Sequence, residues 1–172
     1  MKNFLSELFH VIIDVIMHMP FAISRNICAV LICKKIGNHT QFCRHVHFIS
    51  PHKIIIGDNC FINRNVVLDG RKQLVIGKNT DIGEYSAIWS LEHDTQNHTC
   101  VGGVTKIGDN CWIAPHCIIL PGVRIGNNVV VATGSIVTKN IPDNVVVAGI
   151  PAKIIKNRKL EKQYTLNYRI YF

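Results

Sequence analysis

Residues 92–94 read Glu92-His93-Asp94. A neutral imidazole is the natural general base near pH 7, and whatever bonds its second ring nitrogen fixes the tautomer. A carboxylate, here Asp94, or a backbone carbonyl could serve as that orienting group. By itself, a loop histidine between acids is usually just a solvated side chain. Asn63 can simply turn a corner, and its amide can also donate and accept hydrogen bonds. Trp112 is a large aromatic whose exposure on a regular β-face would call for a partner. The seven cysteines are odd in number, with no CxxC pair and no cleavable signal. That argues against a disulfide framework or a zinc knuckle and for reduced, cytosolic, mostly buried thiols.

The elements that position these groups follow from a repeat. An aliphatic residue returns every six positions at Ile56, Ile62 and Leu68, then, after two extra residues, at Ile76, Ile82 and Ile88. The phase resumes at Ile107, Ile113, Ile119, Ile125, Val131 and Val137. A small or β-branched residue sits four positions on in most units, among them Cys60, Thr80, Ser86, Cys111 and Ser135. A period of six fits neither an α-helix nor a hairpin. It fits short strands that turn a corner after each hexad, three hexads closing a triangular coil. The lead aliphatic then points inward, and Gly or Asn after it suits a corner where positive φ is cheap. The sequence therefore predicts an all-β chain, a parallel β-helix with triangular coils over residues 38–151. The period fails between Ile88 and Ile107, in the polar run SLEHDTQNHTCVGGVTK. A core strand would not carry that run, and a loop leaving the coil would. His93 lies in it.

Two helices are predicted ahead of the repeat, within an N-terminal unit of residues 1–37. One runs from about Asn3 to His18 on the spacing of its apolar residues, and breaks before Pro20. The second runs from about Phe21 to Lys35 and stops at Gly37. Glu7, Asp14 and Arg25 interrupt the apolar run, so no stretch is long enough to span a membrane. These helices are expected to pack on the domain or a neighbouring subunit, or to touch a membrane surface. At the other end, residues 152–172 form a basic tail.

Hydrophobic residues make up 48% of the 172 and charged residues 17%, which excludes a disordered chain. The net charge of +8 invites a nucleic-acid reading, but its distribution removes it. Residues 38–151 hold nine Lys/Arg against eight acids, whereas residues 152–172 hold six against one.

The hexads, the excursion with His93, the run IGDNCWIAPHCIILPGVRIG and the close TGSIVTKNIPDNVVVAGIPAKIIK together resemble the hexapeptide-repeat acyltransferases. The branch is that of the maltose and galactoside O-acetyltransferases and the O-acetyltransferases of bacterial surface polysaccharides. The resemblance implies a left-handed β-helix and a cytoplasmic homotrimer. Acetyl-CoA and a sugar or glycan-precursor acceptor would meet between neighbouring β-helices. It implies His93 as the catalytic base that takes a proton from an acceptor hydroxyl as that oxygen attacks the thioester. Asn63 and Asp69 fall at or near acceptor contacts. Trp112, Thr133, Thr138, Lys139, Lys153 and Lys156 fall on or near cofactor contacts, the last two where basic residues meet phosphates. Lysine there keeps the charge but lacks the arginine fork. The N-terminal helices and the short loop lean toward a surface-glycan precursor, made at the inner face of the membrane. Transfer to the amine of an amino sugar is an alternative, and a non-catalytic β-helix scaffold is another. A zinc-dependent hydratase of the same fold, with His93, His98 and His116 as ligands, is disfavoured because these do not fall on consecutive coil faces; no metal site is expected.

Overall fold

The computed structural model describes residues 2–97, 99–159 and 165–166, with side chains from residue 7 onward. His98 and most of the chain after residue 159 lie outside the described residues.

Three parallel sheets form the sides of a triangular solenoid, a left-handed β-helix. The first sheet holds Lys35–Ile36, Ile54–Ile56, Leu74–Ile76, Thr105–Ile107 and Arg124–Ile125. The second stacks Gln41–Phe42, Phe61–Ile62, Asp81–Ile82, Trp112–Ile113 and Val130–Val131. It ends in Val145–Gly149 with Ala152–Asn157 antiparallel to it. The third holds His47–Ile49, Val67–Asp69, Ala87–Ile88, Ile118–Ile119 and Ile136–Val137. The lead residues stack in register down each face, for example Phe42, Ile62, Ile82, Ile113 and Val131, all fully buried. Each pair of coils stands one strand spacing apart, about 4.8 Å.

The structure moves the corner chemistry by two positions. Positive φ falls three residues after the lead aliphatic, at Asn59, Asn65, Asn79, Tyr85, Asn110, His116 and Asn128. The glycine directly after the lead answers a different need. A Cβ on Gly57 would stand 2.7 Å from the backbone nitrogen of Lys78, so the next coil leaves no room for one. The small residue at the fourth place is also explained. Its buried hydroxyl or thiol donates to a carbonyl of the next coil, as Thr80 does to Gly108 (3.0 Å), Ser86 to Ala114 (3.1 Å) and Cys111 to Gly126 (3.1 Å). Burial pushes the Cys60 and Cys111 thiols up to about 11, which makes them inert hydrogen-bond donors.

The solenoid starts earlier than the aliphatic count suggests. The second helix ends at Ile32, and Lys35–Ile36, expected at its end, is already a strand paired with Ile55–Ile56. The first coil is led by Ile36, Phe42 and Phe48. Two phenylalanines in place of aliphatics hid it. Helices α1 (Lys2–His18) and α2 (Ala22–Ile32) close that end. Asn26 Oδ1 accepts from the Phe42 N–H (3.0 Å), and Arg25 donates through Nε to the Phe42 carbonyl (3.0 Å) and through Nη1 to the Met19 carbonyl (2.6 Å). Arg25 is buried, and desolvation draws its pKa down despite the opposing pull of Cys43. α1 packs through Ile13, Ile16 and Met17, while Phe9, Ile12 and Val15 on α1 and Ile23, Ile27 and Leu31 on α2 face outward. No helix among the described residues is long and apolar enough to cross a membrane.

Candidate active site

The excursion is a hairpin rather than an irregular loop. Leu91–His93 pairs antiparallel with Cys100–Gly102, and His93 stands opposite Cys100. His93 is exposed, with Nδ1 3.8 Å from the Cys100 sulfur. Of the seven cysteines only Cys100 is exposed. Asp94 does not play the orienting part expected of it. Its Oδ1 accepts from the backbone N–H of Gln96 (2.9 Å) and Asn97 (2.8 Å), and its own N–H donates to the Thr99 carbonyl (2.8 Å). An aspartate one residue after a strand end is well placed to cap a turn, and the turn takes it.

Asp69 is likewise not an acceptor contact. Its side chain is fully buried and saturated by donors from Arg71, Ser90 and Leu91. Burial alone would raise its pKa, but the Arg71 side chain and the N–H groups of Arg71 and Ser90 outweigh it and hold the carboxyl below the usual range.

Asn63 and Asn65 separate cleanly. Asn65 is a corner residue with φ 57°, whereas Asn63 donates from Nδ2 to Asp81 Oδ1 (2.9 Å) and the Ile82 carbonyl (3.0 Å). Asp81 is a functional candidate that the sequence reading missed. On the outer side of the second sheet, register places Phe61, Asp81, Trp112, Val130, Val146 and Lys156 in one row. Trp112 is 46% exposed, as its place after Cys111 implied. Lys156 stands three strands further along, about 14 Å away. Lys153 lies on the same outer strand, opposite Ala148, and Thr133 is exposed at the corner where this sheet meets the third.

Desolvation between those aromatics raises the Asp81 carboxyl to about 6, against the pull of the Asn63 hydrogen bond. A raised folded-state pKa means the ionised form is penalised in the fold. The penalty is absent below the unfolded value and complete above about pH 6. Asp81→Asn, which keeps an acceptor for Asn63, is expected to raise the melting temperature relative to the wild type at about pH 8. The gap should close near pH 3.5. Thermal melts across that range check it, and a gap that is constant or reversed refutes the assignment.

Thr138 and Lys139 are exposed at the opposite edge of the third sheet, after Ile136–Val137. That is also the edge from which the His93 hairpin leaves, after Ala87–Ile88. Within one chain the sequence-predicted residues therefore form two groups. The root of the His93 hairpin, Thr138 and Lys139 occupy one corner. Asn63, Trp112, Thr133, Lys153 and Lys156 occupy the second sheet and the corner beyond it. The side of the third sheet separates them, five residues from Thr133 to Thr138, or up to about 16 Å of extended chain.

The family described as bacterial transferase hexapeptide (six repeats) matches residues 105–139. The galactoside O-acetyltransferase of Escherichia coli K12 is 35% identical over 132 residues, 73% of this chain and 65% of that one. WcaF of the same organism, named for acetyl transfer in colanic acid biosynthesis, is 33% identical over 126 residues, 72% of this chain and 69% of that one. Among solved structures, a hexapeptide-repeat acetyltransferase of Vibrio cholerae complexed with acetyl coenzyme A superposes with a TM-score of 0.78 at 28% identity. That match covers 86% of this chain and 84% of that one. The chain belongs to the hexapeptide-repeat acyltransferases. Its relatives include galactoside O-acetyltransferases and acetyltransferases of colanic acid and lipopolysaccharide biosynthesis. The chain spans just under two thirds of the length of the galactoside relative.

Proposed function

We propose that the protein transfers the acetyl group of acetyl-CoA to a hydroxyl of a sugar or surface-glycan precursor, working as a homotrimer. The observation that carries this is the division of the candidate residues between two corners of one β-helix. The base corner of one copy has to meet the tryptophan row of a neighbour, and a groove between copies supplies that meeting. In this reading His93 Nε2 removes the acceptor proton as the oxygen attacks the thioester carbonyl. The tetrahedral adduct collapses to an acetyl ester, and the leaving CoA sulfur takes the proton back from the imidazolium. The Cys100 thiol on Nδ1 takes the place that Asp94 leaves vacant. Asn63 faces the acceptor, Trp112 packs on the pantetheine arm, and Lys153 and Lys156 meet the phosphates. Thr133 lines the same side of the cofactor, and Thr138 and Lys139 approach it from the neighbouring copy. The outward apolar residues of α1 and α2 are the surface on which contact with a membrane would be made.

Two measurements test the reading. Mass spectrometry of sugars, nucleotide sugars and lipid-linked glycans after incubation with acetyl-CoA should show an added acetyl group on one of them. Consumption of no acetyl-CoA with any acceptor, with stoichiometric zinc in the purified protein, would overturn it in favour of a hydratase. Trp112→Ala should raise the Michaelis constant for acetyl-CoA about tenfold, roughly 1.4 kcal/mol of lost binding, with a smaller change in kcat. An unchanged constant would assign Trp112 to packing alone.

A further inference from the structure

We infer that the Asp69–Arg71 pair is the positioning device of the catalytic hairpin: a side-chain staple that replaces the backbone ladder where the hairpin leaves the solenoid. The inference rests on the reading of His93 as the base.

In the third sheet Val67 and Leu68 pair with Ala87 and Ile88 through the ordinary parallel ladder. One residue further the ladder stops, because the chain after Trp89 turns out toward the hairpin. There the Asp69 carboxylate takes over as acceptor. Its Oδ2 receives the N–H of Ser90 (3.0 Å) and of Leu91 (3.2 Å), the two residues that lead into His93. Arg71 holds the carboxylate from the other side, through Nε to Oδ1 (3.0 Å) and Nη2 to Oδ2 (3.0 Å). It also reaches past it to donate from Nη2 to the Leu91 carbonyl (3.2 Å). Both backbone polar groups of Leu91 are thereby bonded to the staple. Ser90 is tied further, its Oγ accepting from the Lys72 N–H (2.9 Å) and its carbonyl from the Gly103 N–H (3.1 Å).

A charge-assisted fork of this kind, closed on a buried carboxylate, fixes orientation as well as position. Arg71 lies in the hexad that opens at Leu68, which two extra residues lengthen before the phase resumes at Ile76. The insertion in one coil and the excursion in the next are therefore two halves of one device. A base displaced by about 1 Å loses much of its rate, so the staple acts on turnover rather than on cofactor binding.

The test is Arg71→Ala in the full chain, with hydrogen exchange as one readout and transfer from acetyl-CoA to methyl β-galactoside as the other. Amides of residues 91–102 are expected to exchange about tenfold faster, with those of Ile118–Ile119 and Ile136–Val137 unchanged. The value of kcat is expected to fall about tenfold with the acetyl-CoA Michaelis constant unmoved. Arg71 is 35% exposed, so free guanidinium ion can reach the vacated place and should restore both readouts. Arg71→Lys keeps the charge without the fork and should remain impaired. It also serves if the alanine variant does not fold. Arg64→Ala, which breaks the exposed pair with Glu84, should change neither readout. Unaltered hairpin exchange in Arg71→Ala overturns the staple outright. Faster exchange with wild-type turnover, in a protein whose His93→Ala variant is slow, overturns its catalytic role and leaves the acyltransfer reading standing. Wild-type turnover in His93→Ala removes that reading, and the staple's role falls with it.

Discussion

His93→Ala is expected to slow acetyl transfer by about 100-fold or more, the lower range of what a positioned general base contributes. The structure makes this a clean substitution. His93 is exposed on the hairpin, and its one described side-chain contact is with the thiol of Cys100. The supports of the hairpin lie at its root, on Ser90 and Leu91, so removing the imidazole leaves them in place. The variant should therefore fold, bind acetyl-CoA with ordinary affinity and lose rate. Steady-state kinetics with a cofactor-binding measurement separate these. A kcat within a few-fold of the wild type would remove His93 from the chemistry.

The second large effect concerns stability. Gly108→Ala would place a Cβ 2.6 Å from the Gly126 carbonyl oxygen and 2.7 Å from its carbonyl carbon. Backbone cannot swing aside as a side-chain tip can, so the coils on either side must separate. The expected cost is about 3 kcal/mol, at the upper end of core overpacking. For a domain of this size that corresponds to a fall of roughly 6–12 °C in melting temperature. Gly134→Ala supplies the contrast. A Cβ there meets nothing within 4 Å, but its φ is 72°, so only the dihedral cost of about 1 kcal/mol is expected. Calorimetry on both variants checks the pair. Equal losses would show that the closeness of the coils is not what keeps a Cβ out of the place after the lead residue.

Much of the solenoid was legible because a stacked triangular coil demands the same residue at the same phase in every turn. Ile, Leu and Val at the lead positions announced it. The first coil escaped because Phe42 and Phe48 stand at lead positions that later coils give to Ile, Leu or Val. The site was legible in part. The break in period marked the segment that bears His93, and the phase of the hexad turned Trp112 outward. What the phase could not show was which side chain meets which across coils. Asp69 and Arg71 are two apart in sequence, yet their partners Ser90 and Leu91 are some twenty residues on. Asp81 looked like an ordinary strand residue until register set it between Phe61 and Trp112. Asp94 sat beside His93 in sequence and turned out to serve its own turn.

The two ends of the stack carry a further meaning. A parallel solenoid is a one-dimensional polymer whose open ends offer unpaired amides and carbonyls to any passing strand. In this protein each end has its own stopper. Arg25 and Asn26 consume the polar groups of Phe42 at one end, and at the other Ala152–Asn157 folds back antiparallel, a direction that the parallel register does not continue. The number of turns is thereby fixed by the chain itself, and growth end to end is stopped at both ends. The homotrimer proposed above would then have to form through the flanks.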